Sequence, residues 1–348
     1  MKNKIITSSL IKLLAGKESE RTPIWFMRQA GRYLPEYRKI RKEAGSFLNI
    51  CMDYNLATEI TLQPAKRFDL DAVIVFSDIL TIPMALDREV EFKEKEGPII
   101  NRITSLKEIR ELECKKINFL EPVYKTIHKV KTEKPMNCAL IGFSGAPFTL
   151  ACYLLQGSGK EGFKKCVDFF RKEEDYFLKL LEKLEEFISI HLINQIKSGA
   201  DVVQIFDSHA HIALANNKLR EYCINPVRKI IKKVKNETEG AYIICFPRNI
   251  GSKYTEYIAS LDLDGISLDH NINRKELIKN NNKEVCYQGN LSPETLVKGG
   301  QKMEEEVKSI ISDFSKESHK FNLGHGVLKE TNPDNILELI KIIRSLEK

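Results

Sequence analysis

The chain has 348 residues, of which 42% are hydrophobic and 30% are charged, and its formal net charge is +7. These proportions are typical of a globular protein with a full core, and they exclude disorder of the whole chain. No run approaches the roughly 18 consecutive apolar residues that a membrane-spanning helix needs, and residues 1–16 do not form a signal peptide. We therefore expect a cytoplasmic protein, whose mild positive charge either keeps it in solution or attracts an acidic ligand.

Eight short apolar runs recur along the chain, with helical patterns between them. They occupy residues 23–27, 72–76, 138–143, 201–206, 241–246, 264–268, 285–288 and 320–323. Apolar strands that alternate with helices are typical of a parallel sheet with a covered outer face, and eight of them predict a closed (β/α)₈ barrel, the TIM-barrel architecture of the α/β class. We expect one domain over residues 1–348, and an open doubly wound sheet is the alternative.

The intervening segments support this architecture. Residues 176–197 carry apolar side chains at helical spacing and end before Gly199, which predicts a helix with one buried face. Similar patterns at 219–234, 303–314 and 335–346 predict three more helices, the last of them opening with Asn332-Pro333-Asp334. The charged residues 87–97 are predicted to form a solvated excursion after the second strand.

The cysteines are predicted to be free thiols. No two of them form a C-x-x-C pair, and the chain shows no export signal, so neither a zinc site nor a disulfide framework is indicated. They are Cys51, Cys114, Cys138, Cys152, Cys166, Cys223, Cys245 and Cys286.

In barrels of this class the active site lies at the carboxyl ends of the strands, so the residues that follow each apolar run are the candidates. Two arginines four residues apart follow the first run, and a guanidinium can bind a carboxylate through two parallel hydrogen bonds. The candidates are Arg28, Gln29, Arg32, Asp78, Tyr153, Ser208 and His325. This set predicts a site for a small molecule that carries several carboxylates.

Most of these candidates also have a purely structural interpretation. An arginine at a strand end is compatible with a surface ion pair, and Asp78 is compatible with the cap of a helix that begins at Ile79. His325 is the stronger functional candidate, because the glycines on both sides of it allow the backbone to approach a ligand closely.

Two weaker motifs are set aside. Residues 157–162 match G-x-G-x-x-G but follow a predicted helix instead of a strand, so we predict a loop and no dinucleotide site. His209 and His211 offer two candidate metal ligands without a third in the sequence, and we predict no metal there. No dense basic and aromatic stretch indicates nucleic-acid binding.

Two longer segments carry a resemblance to a known family. Residues 23–38 read PIWFMRQAGRYLPEYR and residues 141–157 read IGFSGAPFTLACYLLQG, and both resemble signatures of the uroporphyrinogen decarboxylases. Shorter matches lie at 76–80, 206–210, 288–291 and 322–326. The resemblance covers nearly the whole chain.

The resemblance implies a single barrel, usually a homodimer, that needs no cofactor or metal and binds neither nucleic acid nor membrane. It implies that the enzyme removes carbon dioxide from the four acetate side chains of uroporphyrinogen III, giving coproporphyrinogen III on the path to haem. The family's substrate-binding positions match the seven candidates above. Its catalytic positions match Asp78, Arg28, Arg32 and Tyr153.

These residue types suit the chemistry. A pyrrole acetate loses carbon dioxide readily once the ring is protonated next to the side chain, and an ionised Asp78 would stabilise the resulting cation. We expect nearby arginines to lower the pKa of Asp78, and Tyr153 and Ser208 to orient the reacting acetate. No side chain is assigned as the proton donor.

The chain departs from the family pattern at three positions. Asp87 and His211 stand where relatives generally have glycine, and Ser292 stands where they usually have aspartate. Two other functions compete with the decarboxylase. One is a zinc-dependent corrinoid methyltransferase of the same superfamily, which needs a thiolate near the later strands, and the other is a tetrapyrrole carrier without turnover.

Overall fold

The structure is a computed structural model that describes residues 8–93, 97–113, 117–159 and 161–347. Cys114 lies outside these ranges. The cysteines within them are free thiols and buried, as predicted.

A curled parallel sheet of seven strands forms the centre of the fold. The strands of the described ranges are β1 (Ala72–Ile74), β2 (Val90–Lys93), β3 (Gly97–Ile100), β4 (Ala139–Gly145), β5 (Val202–Asp207), β6 (Tyr242–Pro247), β7 (Gly265–Ser267), β8 (Cys286–Gln288) and β9 (His319–Lys320). The sheet order is β1-β4-β5-β6-β7-β8-β9, and every neighbouring pair is parallel. Because this order follows the chain without a reversal, the doubly wound alternative is wrong.

Helices connect the strands of this sheet. In the described ranges they are α1 (Ser9–Leu14), α2 (Pro35–Glu43), α3 (Phe47–Met52), α4 (Tyr54–Arg67), α5 (Thr81–Ala85), α6 (Leu106–Glu111), α7 (Glu121–Glu133), α8 (Pro147–Gln156), α9 (Lys164–Lys172), α10 (Glu174–Lys197), α11 (Ala210–Ala215), α12 (Asn225–Glu237), α13 (Tyr254–Ser260), α14 (Arg274–Asn280), α15 (Pro293–Lys298), α16 (Gly300–Asp313) and α17 (Pro333–Ser345). None of the helices in this part of the chain is long and apolar enough to cross a membrane.

The helix predictions are confirmed, with one local difference. Helices α10, α16 and α17 match three predicted segments, and the Asn332 side chain caps α17 by accepting a hydrogen bond from the Asp334 N–H. The fourth segment divides into a π-helical turn, Leu219–Ile224, and the α-helix α12. The motif at 157–162 follows α8, as expected for a loop, and residue 160 of it lies outside the described ranges.

The excursion after the second predicted strand is a hairpin. Strands β2 and β3 pair antiparallel, from Val90 with Ile100 to Lys93 with Gly97. Phe92 is half-buried and its ring lies 4.8 Å from the ring of Phe47, so the segment packs on α3 instead of lying free in solvent. Most residues of this segment are charged, so the alternation that brings Val90 and Phe92 to one face of a strand is difficult to recognise in the sequence.

The first apolar run, residues 23–27, does not form the regular strand that was predicted. It makes one parallel bridge, between Ile24 and Phe321, and the Asp71 N–H donates to the Ile24 carbonyl at 2.8 Å. The run therefore lies between β1 and β9 without a ladder. Two features account for this: Pro23 has no N–H, and the Ile24 N–H donates to the side-chain carboxylate of Asp71 at 2.8 Å instead of a backbone carbonyl.

Apolar side chains from five strands meet inside the curl of the sheet. Trp25 is fully buried among them, and its Nε1 donates to Gln288 Oε1 at 3.0 Å. Gln288 Nε2 donates in turn to Gln204 Oε1 and to Ser267 Oγ, at 3.1 and 3.0 Å. The buried apolar members of this interior are Leu10, Leu14, Trp25, Ala72, Ala139, Ile141, Val202, Ile244 and Cys286. The interior is thus a packed core that supports the carboxyl ends of the strands.

Asp71 ties the two ends of the chain to the sheet. Its side chain is 1% exposed, and Oδ2 accepts hydrogen bonds from the Ile24 N–H and from Arg344, both at 2.8 Å. Oδ1 accepts from Arg21 Nε at 2.8 Å. A buried carboxylate is stable only when its partners compensate for lost hydration, and here both oxygens are paired.

We predict that Asp71→Asn lowers the free energy of unfolding by about 3 kcal/mol, because it leaves two arginines facing an uncharged amide. Equilibrium urea denaturation measures this loss. Asp262→Asn is the matched control, since the Asp262 side chain is 82% exposed and its contact with Lys235 lies on the surface. A loss for the Asp71 variant no larger than that of the control would contradict the role given to Asp71.

Candidate functional site

Arg28 follows the first apolar run and lies against the loop that carries His325. Its backbone has a φ of 63°, in the left-handed region. A Cβ built on Gly326 would lie 2.4 Å from Arg28 Cδ and 2.8 Å from Cγ, so the arginine side chain occupies the space that only a glycine leaves open. The loops after the first and last predicted strands therefore meet at Arg28.

The Arg28 guanidinium is surrounded by protein atoms although the residue is exposed. These atoms lower the pKa of the guanidinium by desolvation, while the charges of Asp78 and Tyr153 oppose that decrease. Exposure together with desolvation is typical of a group in an open cleft. Asp78 has no direct ion pair within the described part of the chain, so both charges remain accessible to a ligand.

Asp78 accepts one backbone hydrogen bond just before α5 and keeps its other oxygen free. Oδ1 accepts from the Leu80 N–H at 2.8 Å. The predicted cap of a helix that begins at Ile79 is wrong, because α5 begins at Thr81 and Leu80 is its N-cap residue, with no side-chain cap hydrogen bond. The other carboxylate oxygen accepts no hydrogen bond from the described residues, so it is available for a functional role.

Burial controls the ionisation of Asp78. It raises the pKa of the carboxyl to about 6, and the Leu80 hydrogen bond and the charge of Arg28 oppose this increase without cancelling it. The expectation that nearby arginines lower the pKa of Asp78 is confirmed for Arg28, but desolvation is the larger effect and the net shift is upward. At neutral pH the group is still mainly ionised.

Tyr153 is the aromatic and hydroxyl element of the site. It lies on α8, and its ring is 5.3 Å from the ring of His209 and 5.4 Å from that of Phe163. Burial raises the pKa of Tyr153 to about 12, and the charge of Asp78 adds to the increase. The hydroxyl is therefore neutral at physiological pH and can donate a hydrogen bond.

The loop after β5 carries Ser208 and two histidines. Ser208 is half-buried, and its backbone is hydrogen-bonded to the side chain of His211, which is exposed. Burial lowers the pKa of His209 to about 4, and the charges of His211 and Arg248 add to the decrease. His209 is thus a neutral imidazole at physiological pH.

His325 is neutral as well. Burial lowers its pKa to about 3, and the charges of Arg28, Arg248 and His270 act in the same direction. Its Nδ1 is buried and has no hydrogen-bond partner. An unpaired buried nitrogen is costly, so this atom points to a ligand or to water at the site.

Of the two remaining candidates, Arg32 lies on the surface and Gln29 is buried. Arg32 is exposed and close enough to influence the pKa of Arg28. Gln29 is 1% exposed, and its amide is used within the protein: Oε1 accepts from the Phe26 N–H at 2.9 Å and Nε2 donates to the Ala72 carbonyl at 3.1 Å. Gln29 thus fixes the loop that carries Arg28, instead of facing the cleft.

Two residues of the site were missed by the sequence analysis. Arg248 follows β6 and His270 follows β7, and both influence the pKa of His325. A sequence signal existed, because each residue lies two positions after an apolar run, at the carboxyl end of a strand.

The three departures from the family pattern are accommodated locally. Asp87 adopts a φ of 61°, the left-handed conformation that glycine takes most easily, so the turn keeps its shape without the glycine. Ser292 caps α15 through a hydrogen bond from the Thr295 N–H. His211 lies beside His209, with ring centroids 6.2 Å apart.

The described residues include no group of three or more His, Cys, Asp or Glu side chains arranged to hold a metal ion. Cys245, one of the thiols that a zinc site near the later strands would use, is fully buried. Burial raises the pKa of its thiol to about 12, which opposes formation of a thiolate ligand.

Comparisons with known proteins agree over the whole chain. The family model described as uroporphyrinogen decarboxylase (URO-D) matches residues 7–346. A uroporphyrinogen decarboxylase of Rickettsia felis is 42% identical over 332 residues, covering 95% of each chain. That of Rickettsia bellii is 42% identical over 342 residues, covering 98% of this chain and 99% of the relative.

A solved structure extends the comparison to the fold. A methyltransferase from Methanosarcina mazei superimposes with a TM-score of 0.81, covers 99% of both chains and is 18% identical. At that identity the likeness establishes a shared fold and carries no information on activity.

We predict that the carboxyl group of Asp78 titrates near pH 6, the value to which burial raises its pKa. NMR titration of the side-chain carbon measures it. Arg28→Gln should raise the pKa further, because the charge of Arg28 favours the ionised carboxylate. Arg32→Gln is the control and should have little effect, so equal shifts in both variants, or titration near the ordinary value for aspartate, would contradict this assignment.

Proposed function

Because the chain belongs to the uroporphyrinogen decarboxylase family, we propose that it removes carbon dioxide from the four acetate side chains of uroporphyrinogen III and releases coproporphyrinogen III. The observation that carries the proposal is Asp78, a half-buried carboxylate with one oxygen free, close to Arg28 and Tyr153 in an open cleft. No cofactor is needed in this proposal, since the pyrrole ring itself accepts the electrons.

The reaction requires a temporary electron sink. A proton adds to the ring carbon beside the acetate-bearing position, which makes the pyrrole cationic. The bond between the acetate methylene and its carboxylate then breaks, and its electron pair moves towards the ring as carbon dioxide leaves. A proton adds to the exocyclic methylene, and the ring proton is lost. Each acetate thus consumes one proton in total and becomes a methyl group.

Asp78 is assigned the stabilisation of the cationic ring. Its free oxygen can accept hydrogen bonds from pyrrole N–H groups, and its negative charge opposes the positive charge that develops. Partial desolvation of the carboxylate strengthens both effects, because fewer water dipoles compete with the substrate.

Arg28 and Arg32 are assigned to substrate carboxylates. Arg28 lies at the junction of two loops and remains exposed to a ligand, and Arg32 lies farther out. Tyr153 and Ser208 are assigned the orientation of the reacting acetate, and His325 the binding of a carboxylate through its unpaired Nδ1. Gln29 is assigned a positioning role behind Arg28.

The proposal extends to the architecture and setting of the protein. We propose that residues 23–27 occupy the eighth position of a closed barrel, which their bridge to Phe321 and their bond to Asp71 support. We also propose one domain over residues 1–348, a homodimer in the cytoplasm, and no nucleic-acid partner.

The decisive experiment uses the pure protein after treatment with a metal chelator. It is incubated with uroporphyrinogen III under reducing, oxygen-free conditions, and the oxidised porphyrins are separated by carboxylate number. Successive loss of four carboxylates is the expected result. Unchanged substrate, with the protein shown to be folded, would contradict the proposal, and recovery of activity only with added zinc would favour metal-dependent chemistry.

We predict that Asp78→Asn lowers kcat by about 100-fold or more, the usual effect of removing one electrostatic stabiliser of a transition state. KM should change much less, since the amide can still accept hydrogen bonds. Steady-state kinetics measure both constants. Asp168→Asn, an exposed change of the same kind on α9, should leave kcat unchanged. Near-normal turnover by the Asp78 variant would remove Asp78 from the mechanism.

We predict that Arg28→Ala raises KM for uroporphyrinogen III by about tenfold or more, because a charge-assisted contact with a substrate carboxylate is lost. Arg171→Ala, which removes an exposed arginine bound to Asn216, is the control. If the two variants show equal KM values, Arg28 does not bind a substrate carboxylate.

A further inference from the structure

Four buried nitrogen atoms without hydrogen-bond partners lie at the carboxyl ends of four strands. They are Arg248 Nε, His209 Nε2, His270 Nδ1 and His325 Nδ1. Their residues follow β6, β5, β7 and β9, respectively. Buried polar atoms almost always have partners, so four unpartnered nitrogens in one region are unusual. We call these four residues the arginine–histidine wall.

The four side chains lie close together. The charge of Arg248 lowers the pKa of both His209 and His325, and the charge of His270 lowers that of His325. The loops also touch directly, because a Cβ built on Gly324 would lie 2.2 Å from the backbone nitrogen of His270. The wall is therefore one surface contributed by neighbouring loops.

No carboxylate of the described residues forms an ion pair with the wall. Asp269 is buried and accepts hydrogen bonds from the Asn249 N–H, the Tyr254 hydroxyl and the Asn271 N–H. Glu294 is exposed and accepts a hydrogen bond from the Ser292 hydroxyl at 2.8 Å. Its own backbone N–H and the Ser292 hydroxyl lower the pKa of Glu294, and the charges of His270 and Arg248 add to the decrease, so this carboxylate lies within electrostatic reach of the wall. Arg248 forms no ion pair with any described residue, so its charge is available to an anionic ligand.

The wall borders the reacting end of the site, because the ring of His209 lies 5.3 Å from that of Tyr153. The charge of Arg28 acts on Asp78, and the charges of Arg28 and Arg248 both act on His325. Arg28 is therefore within electrostatic reach of both Asp78 and the wall. A substrate with its reacting acetate near Asp78 would bring another part of the macrocycle to the wall.

We propose that the arginine–histidine wall, and Arg248 and His270 in particular, binds a propionate carboxylate that is present in both substrate and product. The inference rests on the proposed function. A carboxylate has two oxygens with about four lone pairs, which matches several converging donors. A protonated ring nitrogen of histidine can donate a hydrogen bond to a carboxylate oxygen, and Arg248 supplies the charge.

The test measures the product as well as the substrate. Coproporphyrinogen III keeps the propionates and has lost the acetates, so its binding reports on propionate contacts alone. Arg248→Gln should raise KM for uroporphyrinogen III and Kd for coproporphyrinogen III by the same factor, about tenfold, with kcat changed less than about threefold. Kd is measured by calorimetry without oxygen.

Controls separate a binding effect from misfolding. Arg228→Gln removes an exposed arginine of α12 and should leave both constants unchanged. Arg248→Lys keeps a charge and should give intermediate values, and His270→Ala should weaken product binding by a smaller factor. If Arg248→Gln does not fold, product binding by Arg248→Lys and by His270→Ala tests whether the wall binds the carboxylate.

Unchanged product binding in the Arg248 and His270 variants would overturn the inference, and so would a loss confined to kcat. Failure of the proposed function has a different signature. In that case the unaltered protein leaves uroporphyrinogen III intact, while the comparison of Kd values between it and Arg248→Gln still decides whether the wall binds this carboxylate.

Discussion

The position of Arg28 depends on one buried carboxylate, Asp71. The segment that precedes Arg28 makes a single bridge to the last strand, so backbone ladders hold it only weakly. Asp71 compensates by binding the Ile24 N–H and two arginines, one near each end of the chain. Gln29 adds a second attachment, from its amide to the Ala72 carbonyl. If Arg28 binds substrate as we propose, its guanidinium must be held in place by neighbouring groups, and these contacts supply that support.

Burial and charge act against each other throughout the cleft. Desolvation raises the pKa of Asp78 to about 6 and lowers that of His325 to about 3, so one group remains largely ionised at neutral pH and the other is neutral. Arg28 influences both groups, since its charge favours the ionised form of Asp78 and disfavours protonation of His325. The cleft thus combines the half-buried carboxylate of Asp78 with cationic and neutral donors. This arrangement suits a ligand with a cationic centre and anionic edges.

The sequence predicted the parallel sheet, the main helices and the loops that form the site, because each follows from apolar periodicity and from the carboxyl-end rule. Tertiary contacts determine the features that the sequence did not predict. Residues 23–27 do not form a regular strand, because the side chain of Asp71, 47 positions away, accepts a hydrogen bond from the Ile24 N–H. The direction of the Asp78 pKa shift depends on desolvation, which no local pattern reveals. Arg248 and His270 follow the carboxyl ends of β6 and β7, so the carboxyl-end rule identifies both of them as candidates as well.

We propose that the free oxygen of Asp78 faces the pyrrole nitrogens of a bound tetrapyrrole. A crystal structure of the protein with coproporphyrinogen III, grown without oxygen, would locate the macrocycle relative to this oxygen. We expect pyrrole N–H groups at about 2.7–3.2 Å from it, with carboxylates of the macrocycle at Arg28 and at the arginine–histidine wall. A macrocycle bound with its nitrogens away from Asp78 would remove Asp78 from the mechanism.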